Sequence, residues 1–136
     1  MTDNAPEFNW VHARAACSAA KMFEQLRAHV VRDVEIRNKI NEGGGYKFDT
    51  HSEHAGITVF LDSMFHQQNP YRVVRFLVED EHIIARYGND AIIWSATLTL
   101  NDKGQCRLKI DNKEYELWQA CYMGLEKLFF DIIRPF

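Results

Sequence analysis

The spacing of apolar residues changes at a run of three glycines, and this change constrains the fold more than any other feature. Before Gly43-Gly44-Gly45, apolar residues recur every three or four positions, which is typical of an amphipathic helix. After the glycines they alternate every second position, which is typical of half-buried strands. The sequence therefore predicts a long N-terminal helix followed by an antiparallel sheet.

The predicted N-terminal helix covers residues 9–40. Asn9 is a suitable N-cap, and the glycines end the helix because glycine readily adopts a left-handed conformation. A helix of this length measures about 45 Å. It must either extend along the whole sheet or break once, and the break is expected before Trp10. Its apolar stripe consists of Ala16, Ala19, Phe23, Leu26, Val30 and Val34.

Six segments rich in β-branched and aromatic residues follow, and short connections between them indicate antiparallel hairpins. The predicted strands cover residues 46–50, 57–61, 71–79, 82–87, 91–100 and 105–110. A second helix is predicted from Asp111, whose spacing to Glu114 fits a capping box, to about residue 133. The expected fold is one α+β domain over residues 1–136. It has a single antiparallel sheet of five to six strands, a long helix at each terminus, and both helices on one sheet face.

Three turns predict the register of the sheet. Asp80-Glu81 and Asn89-Asp90 suit two-residue hairpin loops, and Asp102 to Gly104 suits a three-residue loop with a left-handed last position. All three turns agree on which side chains face the core. The predicted cross-strand pairs are Arg75 with Arg86, Phe76 with Ala85, Ala85 with Trp94, Leu98 with Leu108, Thr99 with Arg107, and Thr97 with Lys109.

Composition and cysteine content indicate the cellular compartment in which the protein resides. The net charge is −3, and no run approaches the roughly 20 apolar residues of a membrane helix. The N-terminus also lacks the pattern of a secretory signal. Cys17, Cys106 and Cys121 are far apart and form no CxxC pair, so neither a disulfide framework nor a cysteine zinc site is predicted. We expect three reduced thiols, Cys17 on the polar side of its helix, and a cytoplasmic protein.

The sequence contains no motif of a known catalytic site. There is no GxSxG, no phosphate-binding loop and no GxGxxG, which favours a protein that is not an enzyme. No cofactor is predicted. His51 and His54 form a conceivable metal-binding loop, but solvated histidines are the favoured interpretation, and no metal site is predicted. The loop over residues 62–70, with Met64 and Phe65, either covers a pocket or closes the end of the core.

The outward sheet face carries the predicted binding residues. Two arginines directly opposite each other repel unless a negative group lies between them, so this face is expected to bind an acidic protein or a small anion. Solvated arginine side chains are the alternative. Nucleic acid is disfavoured because the face lacks exposed aromatic residues on which bases stack. The residues are Arg75, Arg86, Arg107, Lys109, Thr97 and Thr99.

The predicted function is a non-catalytic binding or interaction module that self-associates. The last helix has an unusually wide apolar arc, and further outward apolar surface on the sheet comes from Val73, Leu77, Ile84 and Ile93. Apolar surface of this extent favours a shared dimer interface. The alternative is that the arc is buried within a single monomer. The order of elements also resembles helix-grip α+β domains, which bind ligands between helix and sheet. The alternative is therefore a small-ligand protein or enzyme with an apolar pocket under the long helix. Its lining would be Trp94, Tyr87 and Phe76.

Overall fold

A computed structural model describes residues 7–63 and 70–131. Within these residues the protein is α+β, with one antiparallel sheet of seven strands and three α-helices. A 3-10 turn, Pro70–Arg72, precedes the third strand, and a π-helical turn, Lys127–Asp131, follows the last helix. The helices are α1 (Trp10–Ala16), α2 (Ala19–Ile40) and α3 (Leu117–Glu126). The strands are β1 (Tyr46–Glu53), β2 (Gly56–Ser63), β3 (Val73–Glu79), β4 (His82–Tyr87), β5 (Ile92–Leu100), β6 (Cys106–Ile110) and β7 (Lys113–Tyr115).

The N-terminal helical region consists of two helices, and the break lies at Cys17-Ser18, not before Trp10. Asn9 caps α1 as predicted, because its side chain accepts a hydrogen bond from the backbone of His12 at 3.0 Å. Ser18 starts α2 in the same way. The apolar spacing continues across this break, so periodicity alone did not reveal it.

The register predicted from the turns is confirmed, and the strands pair in chain order. Asp80 and Glu81 both have positive φ, as a tight two-residue hairpin turn requires. The turn after β4 differs from the prediction. Its loop has three residues and is closed by the Tyr87 amide, which donates to the carbonyl of Ala91 at 2.9 Å. An irregularity in the pairing then restores the register, so that Trp94 still faces Ala85.

The predicted start of the last helix at Asp111 is wrong. Asp111 and Asn112 have φ of 50° and 65° and form a turn into β7, a strand that the sequence analysis did not predict. Asp and Asn favour both helix caps and left-handed turns, so the same residues fit either structure. α3 begins after Glu116, whose backbone amide donates to the Gln119 side chain at 2.8 Å. The predicted end near residue 133 lies outside the described residues.

The core lies between the sheet and the two longer helices, α2 and α3. Buried residues of both helices and the inward residues of the sheet form one cluster, which places the helices on the same sheet face. Phe76 and Trp94 are buried there, whereas Leu98 is only partly buried. Along the edge strand β1, the Asn38 side chain bonds both backbone groups of Phe48, at 2.7 and 2.8 Å. This contact satisfies part of the open sheet edge.

The prediction of three reduced thiols is wrong, because Cys17 and Cys106 form a disulfide. Cys17 is also buried, at 1% exposure, and not on a polar surface. The helix break turns its side chain toward β6, and linear spacing could not show that proximity. Cys121 is free and buried. None of the described helices is both long and apolar enough to cross a membrane.

Candidate functional site

The predicted basic site contains an acidic residue of its own. Arg75 and Arg86 lie opposite each other as expected. Asp90 reaches both, since its carboxylate pairs with Arg75 and its backbone carbonyl accepts a hydrogen bond from Arg86 at 3.1 Å. An intramolecular acid therefore already occupies the position that we assigned to an acidic partner.

The other predicted binding residues lie at the opposite end of the sheet. Arg107 faces Thr99, and its guanidinium is 3.8 Å from the carboxylate of Glu116. Ile92 pairs with Arg86, and Thr99 lies seven positions further along β5, which corresponds to roughly 24 Å. The structure thus divides the predicted site into two separate groups. Thr97 and Lys109 belong to the second group, and both are exposed.

Two of the residues expected to line a pocket under the long helix are tightly packed. The ring centroids of Phe76 and Trp94 lie 6.0 Å apart, and the Trp94 indole N–H donates a hydrogen bond to the carbonyl of Ala120 at 3.0 Å. A Cβ added to Gly124 of α3 would come within 2.8 Å of Phe76. Tyr87 is instead partly exposed and contacts the ring of Tyr71. Helix and sheet are therefore in close contact at the predicted pocket.

Outward apolar residues of the sheet offer less surface than the sequence suggested. Ile84 is only 8% exposed, and Val73, Leu77 and Ile93 are each partly buried. Among the described residues, most of the large exposed apolar side chains lie on the helices.

A cleft of about 270 Å³ opens between α2, α3 and the π-helical turn. We call it the helical cleft. Five large apolar side chains along it are between 52% and 71% exposed, whereas most apolar residues of similar size are in the core. These residues are Ile36, Ile40, Trp118, Tyr122 and Phe130.

Arg37 lies at the inner side of the helical cleft and is almost fully buried. Its guanidinium donates to the carbonyl of Phe129 at 3.0 Å and to the hydroxyl of Tyr46 at 3.2 Å. The Phe130 ring also lies 4.8 Å from the cation. Backbone, hydroxyl and aromatic contacts thus stabilise the charge, with no carboxylate in residues 7–63 and 70–131 at ion-pair distance.

Three potential metal-ligating side chains meet beside the cleft. The ligand atoms of His29, Asp33 and Cys121 all lie within 4.8 Å of one another. Burial raises the pKa of the Cys121 thiol to about 12, and the nearby Asp33 carboxylate adds to this effect. Burial also raises the pKa of Asp33, although positive charge on His29 and Arg32 opposes the shift.

The histidines considered in the sequence analysis are not part of this cluster. His51 lies on β1, is exposed and is 3.7 Å from Glu53. His54 occupies the turn between β1 and β2, where its backbone carbonyl accepts a hydrogen bond from Arg27 at 3.1 Å. The proposed lid residues Met64 and Phe65 lie outside the described residues.

Sequence reasoning missed His29, Asp33 and Arg37 because they occupy α2 among other polar residues. The four-residue spacing of His29 and Asp33 places both on one helix face, and this was the one available signal. The third member, Cys121, is 88 positions from Asp33, and only the packing of α3 against α2 brings them together.

Comparisons with models of known protein families, with curated proteins and with solved structures found no match.

Proposed function

We propose that this protein is a non-catalytic binding module that self-associates, and that a second copy of the chain covers the helical cleft. The observation that carries the proposal is the concentration of exposed aromatic and aliphatic side chains around the cleft. Scattered apolar residues are ordinary on a protein surface, whereas a contiguous patch of this kind is typical of interaction sites.

The size of the patch supports a dimer of modest affinity. Aromatic side chains offer about 150–250 Å² each, so the three aromatic residues at roughly half exposure present about 300 Å², and the two isoleucines raise the total to the order of 500 Å². Two copies meeting across a two-fold axis bury about twice that area, near the roughly 1,000 Å² at which specific interfaces begin. Interfaces of this size lie at the weak end of specific association, so we expect dimers at about tens of micromolar and above.

Light scattering on matched variants tests the proposal. Trp118→Lys places a cation in the interface of both copies and should give the mass of a monomer at tens of micromolar. Trp10→Lys is the control, because Trp10 is at least as exposed as Trp118 but lies on α1, outside the cleft lining. This control should retain the dimer. A wild-type protein with the mass of one chain would contradict the proposal.

An acidic partner on the basic sheet face is a separate part of the proposal. The Asp90 carboxylate already pairs with Arg75, and the Asp90 backbone carbonyl accepts a hydrogen bond from Arg86, so an acidic partner must displace the carboxylate from Arg75. Asp90→Asn should then strengthen binding of an acidic peptide, whereas Arg86→Glu should abolish it. Equal binding by both variants would contradict this part.

A small apolar ligand is the second candidate, favoured by the volume of the helical cleft. About 270 Å³ is slightly below the usual range for small-molecule sites. Fluorescence of 8-anilinonaphthalene-1-sulfonate should rise with wild-type protein and fall with Trp118→Lys. Unchanged dye fluorescence in the variant would contradict a ligand site in the cleft.

The cytoplasmic location predicted from the sequence stays a prediction, and the disulfide bears on it. Disulfides persist mainly in oxidising compartments, so the Cys17–Cys106 bond argues against a reducing one. Counting alkylated thiols after lysing cells directly into denaturant with iodoacetamide tests this point, because denaturant exposes the buried cysteines. Three labelled cysteines would support the cytoplasm, and one would contradict it.

A further inference from the structure

We propose that His29, Asp33 and Cys121 bind a divalent cation of the zinc class, with its remaining coordination position toward the helical cleft. This inference does not depend on self-association. It rests on the identity of the three ligands, on their positions on two facing helices, and on a buried histidine nitrogen without a partner.

The ligand types suit zinc. Thiolate, imidazole and carboxylate are the three side-chain groups that Zn²⁺ uses, at about 2.0–2.3 Å from the ion. A thiolate in the set disfavours Mg²⁺ and Ca²⁺, which prefer oxygen ligands. His29 and Asp33 are one helical turn apart on α2, and Cys121 comes from α3. Atoms within 4.8 Å of one another need only small side-chain rotations to surround one ion.

The hydrogen bonds around His29 identify the nitrogen available to the ion. Its Nδ1 atom is buried and has no hydrogen-bond partner within the described part of the chain. Its Nε2 atom lies 3.3 Å from the guanidinium of Arg32. Metal binding at Nδ1 places the ring proton on Nε2, so Arg32, which is exposed, must turn toward solvent.

Charge balance favours the bound state of the cluster. As the Zn–S bond forms, the Cys121 thiol releases its proton to solvent. The thiolate and the Asp33 carboxylate then carry two negative charges that match the two positive charges of the ion. The loaded site is neutral, which suits a partly buried position. Because its ligands come from both helices, the ion also joins α2 to α3.

Three protein ligands leave the zinc one position short of its usual four. Asp33 and Cys121 both line the helical cleft, so the open position faces the space beside Trp118 and Tyr122. Water, or a donor atom of a molecule in the cleft, completes the coordination.

Metal titration of the full chain with its disulfide intact tests the proposal. Zn²⁺ alone, in competition with a chromophoric chelator, should bind at one ion per chain. Loss of an outer-shell partner typically weakens a metal site 10–100-fold, so Cys121→Ser and Asp33→Asn should weaken binding by at least about 100-fold. Co²⁺ should give a thiolate-to-metal charge-transfer band that Cys121→Ser lacks. Circular dichroism checks that the variants fold, and His29→Gln replaces any variant that does not.

The matched control is His51→Ala, which removes an exposed histidine beside Glu53 on β1. It should bind zinc like the wild type. Loss of binding in this control, with retention in Cys121→Ser, would place the ion on β1 and overturn the proposal. Absence of a charge-transfer band in the wild type, or equal zinc affinity in all ligand variants, would overturn it as well.

Discussion

Replacement of Trp94 by alanine tests the register on which the whole fold depends. The Trp94 side chain is 3% exposed, and its indole donates to the carbonyl of Ala120 on α3. Burying roughly 200 Å² of aromatic surface stabilises a fold by about 5 kcal/mol at 25 cal/mol per Å². Measured losses for Trp→Ala in cores are about 3–5 kcal/mol, and a loss of this size approaches the total stability of a small domain.

Urea denaturation followed by far-UV circular dichroism measures this loss without relying on tryptophan fluorescence. Ser95→Ala is the control, because Ser95 is the next residue along β5 and faces solvent. It should change the free energy of unfolding by less than about 0.5 kcal/mol. A shift of one residue in the register would exchange the two faces. A stable Trp94→Ala together with a destabilised Ser95→Ala would therefore refute the assignment.

Three further predictions concern the covalent and polar contacts. The Cys17–Cys106 disulfide closes a separation of 89 residues, so replacing both cysteines by serine should lower the unfolding free energy in urea by about 2–4 kcal/mol. An unchanged urea midpoint would contradict the presence of this disulfide. Arg27 donates to three backbone carbonyls in and beside the β1–β2 turn. Arg27→Ala should therefore lower the unfolding free energy by about 2 kcal/mol in the same assay. Arg32 is exposed, so Arg32→Ala should leave the unfolding free energy almost unchanged. The pKa of Cys121 near 12 leaves only about one thiolate in 10⁴ molecules at pH 8. Iodoacetamide should therefore label Cys121 only when the protein unfolds. Rapid labelling of the native protein would contradict the burial of this thiol.

The sheet was predictable because its turns carry strong local information. Asp80-Glu81 and Asp102 to Gly104 fix the pairing of their strands, and alternation of apolar residues supplies the same register independently. Errors occurred where one sequence pattern fits two structures. Asp111-Asn112 suits a helix cap and a left-handed turn equally, and Ser18 starts a second helix within an unbroken apolar stripe.

The candidate site was predictable only in part, because its contacts join distant segments. The pairing of Arg75 with Arg86 was correct, but the position of Asp90 depends on a loop whose length the sequence did not establish. The helical cleft requires knowledge of how α3 lies against α2. The wide apolar arc of the last helix did indicate excess apolar surface, and Trp118 and Tyr122 carry it.

Fluorine NMR of the protein labelled with 5-fluorotryptophan tests the central claim, that a second copy covers the helical cleft. The three tryptophans report on different places: Trp118 lies in the cleft, Trp10 is exposed on α1, and Trp94 is buried in the core. On dilution from several hundred to a few micromolar, the Trp118 resonance should move while the other two stay fixed. A Trp118 resonance that is independent of concentration, or a shift confined to Trp10, would contradict the account.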